Sequence, residues 1–175
     1  DDALSRGLGD VYKRQALMVT YSAVASGNIG FNCEGLPFYH VVTVNPKAQV
    51  DQEDDLTVCN EDEILIQFTT EISGGNMTYS WTNDNEAIGV PESGIGDINY
   101  PATNTTDAPI SANIVVTPSF ENGGNINVGD PIEFVITVNP TGQVNTIPSQ
   151  IISNGFETTL IEFTTTNNNL LGGTT

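Results

Sequence analysis

A chain that repeats itself at a fixed spacing must build the same structural unit more than once, and few features constrain a fold more strongly. Here VVTVNP at residues 41–46 returns as VITVNP at residues 135–140, an offset of 94 (140 − 46). Gln49-Val50 returns as Gln143-Val144 at the same offset, and IQFTT at 66–70 as IEFTT at 161–165, offset 95. Upstream, VTYS at 19–22 matches VTPS at 116–119, and Gly27-Asn28-Ile29 matches Gly124-Asn125-Ile126, both at offset 97. The earlier copy therefore carries three extra residues around 31–34. These matches fall in one order and divide the chain. Residues 16–46 are the C-terminal part of a repeat, 47–140 one complete repeat, and 141–175 the N-terminal part of the next. Such a division is expected of a piece of a longer tandem array.

Within the complete repeat, apolar and polar residues alternate with the period of half-buried strands. Ile64, Ile66 and Phe68 make one such series, and Met77, Tyr79 and Trp81 another. Ile110, Ala112, Ile114 and Val116 make a third, and Ile132, Phe134, Ile136 and Val138 a fourth. Between them stand Gly74-Gly75-Asn76, Asn83-Asp84-Asn85 and Asn122-Gly123-Gly124, residues suited to turns. Helical periodicity with caps is missing throughout. Some 94 residues of short strands with a single tryptophan a third of the way along predict an all-β, immunoglobulin-like antiparallel sandwich. Trp81, Tyr79, Phe68, Ile114, Phe134 and Ile136 are the expected core. Asn-Pro ends the last strand, because proline cannot continue a ladder.

The ordered strings VTVNP, TVCN (57–60), YSWTNDNEAIGV (79–90), SGIGDI (93–98), ATNTT (102–106) and ITVNP resemble the PKD-like repeat. That family consists of tandem immunoglobulin-like domains in very large surface and secreted proteins of gliding-type Gram-negative bacteria. The likeness spans nearly all of residues 16–175. It implies an extracellular stalk or adhesin, often exported by the type IX pathway, whose partners are neighbouring repeats and surface glycans or proteins. It implies no catalytic residue. Repeats of this kind often carry one cysteine in the VCNG-like motif and a second shortly before the final strand. Cys59 holds the first position in the complete repeat, whose second position is vacant, and Cys33 holds the second position of the preceding copy. Two unpaired cysteines are expected; a Cys33–Cys59 bridge would have to cross a domain junction.

Charge narrows the function further. With 22 acidic and 4 basic residues the net charge is −18, so nucleic acid and anionic membranes are repelled. The longest apolar run, residues 16–25, is half the ~20 residues of a bilayer span. It imitates a signal peptide, but VTYS inside it recurs mid-chain as VTPS, which makes it a strand. Three of the four basic residues lie within the first fifteen positions. SRGLGDVYKRQ (5–15) resembles translated adapter sequence, so residues 1–15 are set apart as a non-native segment.

One histidine and two cysteines supply little for a zinc cage or a nucleophile–base pair. His40 occupies the position of Phe134 in the next copy and is expected at the core or its edge. The acids Asp51, Glu53, Asp54, Asp55, Glu61, Asp62 and Glu63 are crowded into thirteen residues. Hard oxygen ligands at a repeat junction suit calcium, although no D-x-D-x-D-G loop is present. A charged edge that resists stray strand pairing is the plainer reading. Asn76-Met77-Thr78 and Asn104-Thr105-Thr106 match the N-glycosylation pattern, idle in a bacterial protein. The function expected is a non-catalytic structural and adhesive module. The alternative is a carbohydrate-binding accessory module of a secreted polysaccharide-degrading enzyme, which requires exposed coplanar aromatics in a chain only 7% aromatic.

Overall fold

The computed structural model describes residues 14–28 and 32–165. Alternation of apolar and polar side chains becomes strand wherever a neighbouring strand can take up the backbone hydrogen bonds. In chain order the strands are β1 (Leu17–Ala23), β2 (Ser26–Asn28), β3 (Asn32–Glu34), β4 (Phe38–Val44), β5 (Leu56–Cys59) and β6 (Glu63–Ile66). There follow β7 (Asn76–Asn83), β8 (Ser93–Ile95), β9 (Ile98–Pro101), β10 (Ile110–Asn122), β11 (Asn125–Val128) and β12 (Ile132–Asn139). No α-helix occurs among the described residues. A 3₁₀ turn, Glu86–Ile88, is capped by the Asn85 side chain, which accepts from the Ala87 N–H, and closed by Gly89 at φ 95°.

The largest sheet has the order β5-β12-β10-β7-β8, with β11 on β10; β1–β4, β2–β3 and β6–β9 are two-stranded. β5 joins β12 in parallel, Leu56 opposite Ile136 and Cys59 opposite Asn139, so the largest sheet is mixed, while the two-stranded ones are antiparallel. The chain is an all-β sandwich.

Two compact units are assembled from discontinuous segments. One comprises the described residues through Gln52 together with Phe68–Ser80 and Val116–Ile132. Its core is Ala48, Ile72 and Phe120, with Met77 packed against them. Phe68 is buried, and half-buried Tyr79 meets it with ring centroids 5.6 Å apart. Here the β1–β4 pair stands apart from the rule of a buried face. Val19 alone on the two strands is half-buried, and every other residue is exposed. His40, opposite Tyr21, is therefore exposed and not at a core edge, because nothing covers the ribbon among the described residues. Of the segment 1–15, only residues 14 and 15 are described. The Arg14 carbonyl accepts from the Ser73 N–H at 3.0 Å, and its guanidinium pairs with Glu71. Residues 1–13 lie outside the described residues, and so do 166–175.

The other unit comprises Glu53–Gln67, Trp81–Val115 and the described residues from Glu133 onward. Ile64, Ile98, Ile114, Ile136 and Val138 are fully buried, Trp81 is 2% exposed and Phe134 is buried. Trp81 of β7 meets Tyr100 of β9 edge-on at 6.2 Å, so the two-stranded layer lies over the large sheet. Residues 141–165 form no strand; their apolar side chains, Ile147 excepted, are exposed. A hairpin without a sheet to pack on is marginal in water, which accounts for the lack of a ladder there.

The tryptophan has a fitted seat. A Cβ on Gly94 would stand 2.1 Å from its Cζ2, and its indole N–H donates to the Gly96 carbonyl at 3.0 Å. Gly96 sits at φ 81°, a conformation that glycine adopts without strain. Trp81→Ala should cost ~3–5 kcal/mol in urea unfolding, as for emptying a buried aromatic site. Gly94→Ala should cost about 1–3 kcal/mol by overpacking the same ring. A loss below about 1 kcal/mol in the first variant would place Trp81 outside the core.

Candidate functional site

The acidic stretch 51–63 is where sequence chemistry is densest, and the fold spends much of it on local backbone satisfaction. Asp51 accepts from Thr69 Oγ1 at 2.6 Å, while its N–H donates to the Thr69 carbonyl at 2.9 Å. In the other unit, Asp55 Oδ1 accepts the Val135 N–H at 2.8 Å, and Asp62 Oδ2 accepts the Cys59 N–H at 2.9 Å. Glu61 occupies the left-handed region at φ 73° in the turn between β5 and β6. Glu63 is exposed on β6, Asp54 is exposed, and Glu53 is half-buried. Among the described residues no group of three or more His, Cys, Asp or Glu side chains is gathered as a ligand set. Cys59 is a free, exposed thiol; the side chain of Cys33 lies outside the described residues.

What the stretch does frame is a network of asparagine amides. Asn60 Oδ1 accepts the Asn104 N–H at 2.6 Å, and Asn60 Nδ2 donates to Thr141 Oγ1 at 2.9 Å. The Asn60 N–H itself donates to the Asn139 carbonyl at 2.9 Å. Buried Asn104 sends Nδ2 to the carbonyls of Val138 (2.8 Å) and Ala108 (2.9 Å), and its Oδ1 accepts from the Thr106 N–H and hydroxyl. Three sequence motifs, TVCN, ATNTT and VITVNP, are thus knitted together. Sequence reasoning saw Asn104 only within the ATNTT string of the resemblance and as an idle glycosylation match. The paired short polar residues after it, Thr105 and Thr106, are the signal for an Asx turn that could have exposed its role.

Asn83 does the same at the end of β7. Its Nδ2 donates to the Val90 carbonyl at 2.7 Å, and its Oδ1 accepts the Asn85 N–H at 3.0 Å. Asp84 accepts the Asn113 N–H at 2.7 Å, and Glu86 the Glu92 N–H at 3.2 Å. The groove beside this turn, about 390 Å³, is lined by Thr82, Asn83, Asp84, Glu92, Ser93, Asn113 and Val115. The Asp84 and Glu86 carboxylates point back at the chain's own amides.

Aromatic surface lies on the β1–β4 ribbon. Register places Tyr21 opposite His40 and Ala23 opposite Phe38, so Tyr21 and Phe38 share one face; Tyr39 belongs to the other. Tyr21 is 60% and Phe38 68% exposed. No protein-family model matches the chain, and no curated protein matches it.

Two outcomes follow from this geometry. Asn104→Ala should lower stability by about 1–3 kcal/mol, the cost of leaving buried partners unsatisfied, read as a drop in the urea midpoint at constant m-value. Millimolar calcium should raise Tm no more than magnesium at matched ionic strength, since exposed carboxylates engaged one by one make no cage. A calcium-specific rise would restore the acidic stretch as a metal site.

Proposed function

We propose that the chain is a section of a tandem array of immunoglobulin-like, PKD-like repeats. In this reading it serves as a non-catalytic structural and adhesive element of a large extracellular or cell-surface bacterial protein. The observation that carries the reading is that local geometry recurs at the sequence offset. Asp51 N–H donates to the Thr69 carbonyl at 2.9 Å, and Asn145 N–H to the Thr164 carbonyl at 2.8 Å. The side chains of the same residues bond to each other in both copies, at 2.6 and 2.8 Å. Asp62 N–H donates to the Cys59 carbonyl at 3.1 Å, and Phe156 N–H to the Ser153 carbonyl at 3.2 Å. Glu61 and Gly155, 94 apart (155 − 61), both take positive φ, 73° and 93°. β12 begins 94 residues after β4 (132 − 38). Similar residues in similar order close similar turns, as repetition of a unit requires.

A stiff junction supports a stalk. At the end of the first VTVNP string, Asn45 exchanges amide bonds with Asn122 (3.1 and 2.9 Å), and Asn127 Nδ2 donates to the Pro46 carbonyl at 3.1 Å. Lys47 pairs with Asp130 at 2.6 Å, and Ala48 is buried so close to Gly129 that a Cβ there would stand 2.1 Å from its carbonyl oxygen. The connector entering the complete repeat is clasped to the β10–β11 hairpin. Among the described residues no helix is long and apolar enough to cross a membrane.

A second reading, carbohydrate binding, is favoured by one observation: Tyr21 and Phe38 are exposed on one face, where rings could stack on sugar. The two are separable. Residues 47–140 alone should unfold in one cooperative transition, with fluorescence and circular dichroism coincident. Gradual or non-coincident melting would remove the repeat as the folding unit. Affinity electrophoresis of the whole chain through polysaccharide gels should show no retardation that Tyr21→Ala or Phe38→Ala abolishes. Such retardation would favour the sugar-binding module.

A further inference from the structure

Of the asparagines in the described residues, Asn122 and Asn154 alone are followed by glycine. The pairing matters chemically, because the peptide nitrogen of the next residue can attack an asparagine side chain, and glycine puts no side chain in the way. Asn122 ends β10 and stands opposite Asn125 of β11, so Gly123-Gly124 is a two-residue hairpin turn. Their φ values, 59° and 77°, are those of a type I′ turn. A Cβ at Gly123 would meet nothing within 4 Å, and its N–H has no acceptor among the described residues. Asn122 is half-buried, and Gly123 is exposed.

The amide open to attack is also the amide that clasps the connector. Asn122 Nδ2 donates to Asn45 Oδ1 at 2.9 Å, and the Asn122 carbonyl accepts from Asn45 Nδ2 at 3.1 Å. While both bonds stand, loss of the Asn122 amide nitrogen must first break the bond to Asn45. An aspartate at 122 would set a carboxylate against Asn45 Oδ1, two acceptors with no hydrogen between them. If Asn45 turned to donate to that carboxylate, its bond to the Asn122 carbonyl would be lost. An isoaspartate would also lengthen the backbone by a methylene and displace that carbonyl.

We propose that Asn122-Gly123 is a self-modification site, whose conversion to aspartate and isoaspartate releases the connector 45–48 from the β10–β11 hairpin. The Gly123 nitrogen gives up its proton and attacks Asn122 Cγ. The new N–Cγ bond replaces the Cγ–Nδ2 bond, and Nδ2 departs as ammonia. Water then opens the cyclic imide: cleavage of the N–Cγ bond gives aspartate, and cleavage at the α-carbonyl gives isoaspartate. One water enters and one ammonia leaves, with no oxidation or reduction. The clasp slows the reaction but cannot reverse it, so the connector loosens in one direction only. The clasp is present in this chain whatever array surrounds it, so the site and the repeat reading can fail separately.

The test follows the full chain in mildly alkaline buffer, with Asn154→Ser in every sample so that position 122 alone reports. Peptide mapping by mass spectrometry reads the exchange of NH2 for OH at 122, beside a synthetic peptide of residues 119–128. Trypsin reads the clasp, because Lys47 is the only lysine or arginine after position 14 and cleavage behind it requires the connector to open. Conversion should proceed in the folded chain, more slowly than in the peptide. Asn45→Ala should speed it about fivefold, the weight of one hydrogen bond, and converted chains should be cut after Lys47 faster by about the same factor. Asn122→Gln, whose longer side chain cannot close the same ring, should gain no mass at this position. No conversion at 122 by the time the peptide has converted completely overturns the proposal, and so does an unchanged rate in Asn45→Ala. Converted chains that trypsin cuts no faster than unconverted ones overturn it as well, since modification would then release nothing.

Discussion

The carboxamide of asparagine is the interaction on which this structure depends. Between strands the backbone leaves N–H and C=O groups that must find partners, and a carboxamide offers donor and acceptor in one neutral group. Asn83 and Asn104 do this while buried, and Asn45, Asn60, Asn122 and Asn127 do it at the margins of the strands. A carboxylate could accept but not donate, and its burial in a chain of net charge −18 would carry a heavy desolvation cost. Neutral amides therefore hold the interior ends of loops, and acids are left to the rim.

Even at the rim the acids are occupied. Asp51, Asp55, Asp62 and Asp84 each accept a hydrogen bond from a named hydroxyl or backbone N–H at 2.6–2.9 Å. Such charge-assisted bonds are stronger than neutral ones and tie strand ends where no ladder continues. The remaining negative charge lies on the surface and keeps open edges of neighbouring molecules apart at long range. Where acids thin out, along 16–46 and 141–165, that protection is weakest and apolar side chains are most exposed.

The same pattern can thus have two fates. Alternating apolar residues on β12 are buried because β5 and the layer above supply partners; their counterparts on β4 meet neither. Strand identity is local, but burial is a property of the neighbourhood. The Thr-Val-Asn-Pro string makes the difference visible within one molecule.

By itself the sequence determined that the chain would be all-β, where the principal strands would run and where each would turn. These follow from period-two alternation and from the backbone preferences of Gly, Asn and Pro, which act over a few residues. Trp81, Phe134 and Ile136 declared themselves by sitting in such series, and Trp81 by its size. Only the tertiary structure decided that Asn104 is a buried pin, that β5 adds in parallel, that Gly94 is the floor under Trp81, and that His40 is bare. Each depends on residues tens of positions apart, and no local pattern states which of two equivalent faces will find a partner.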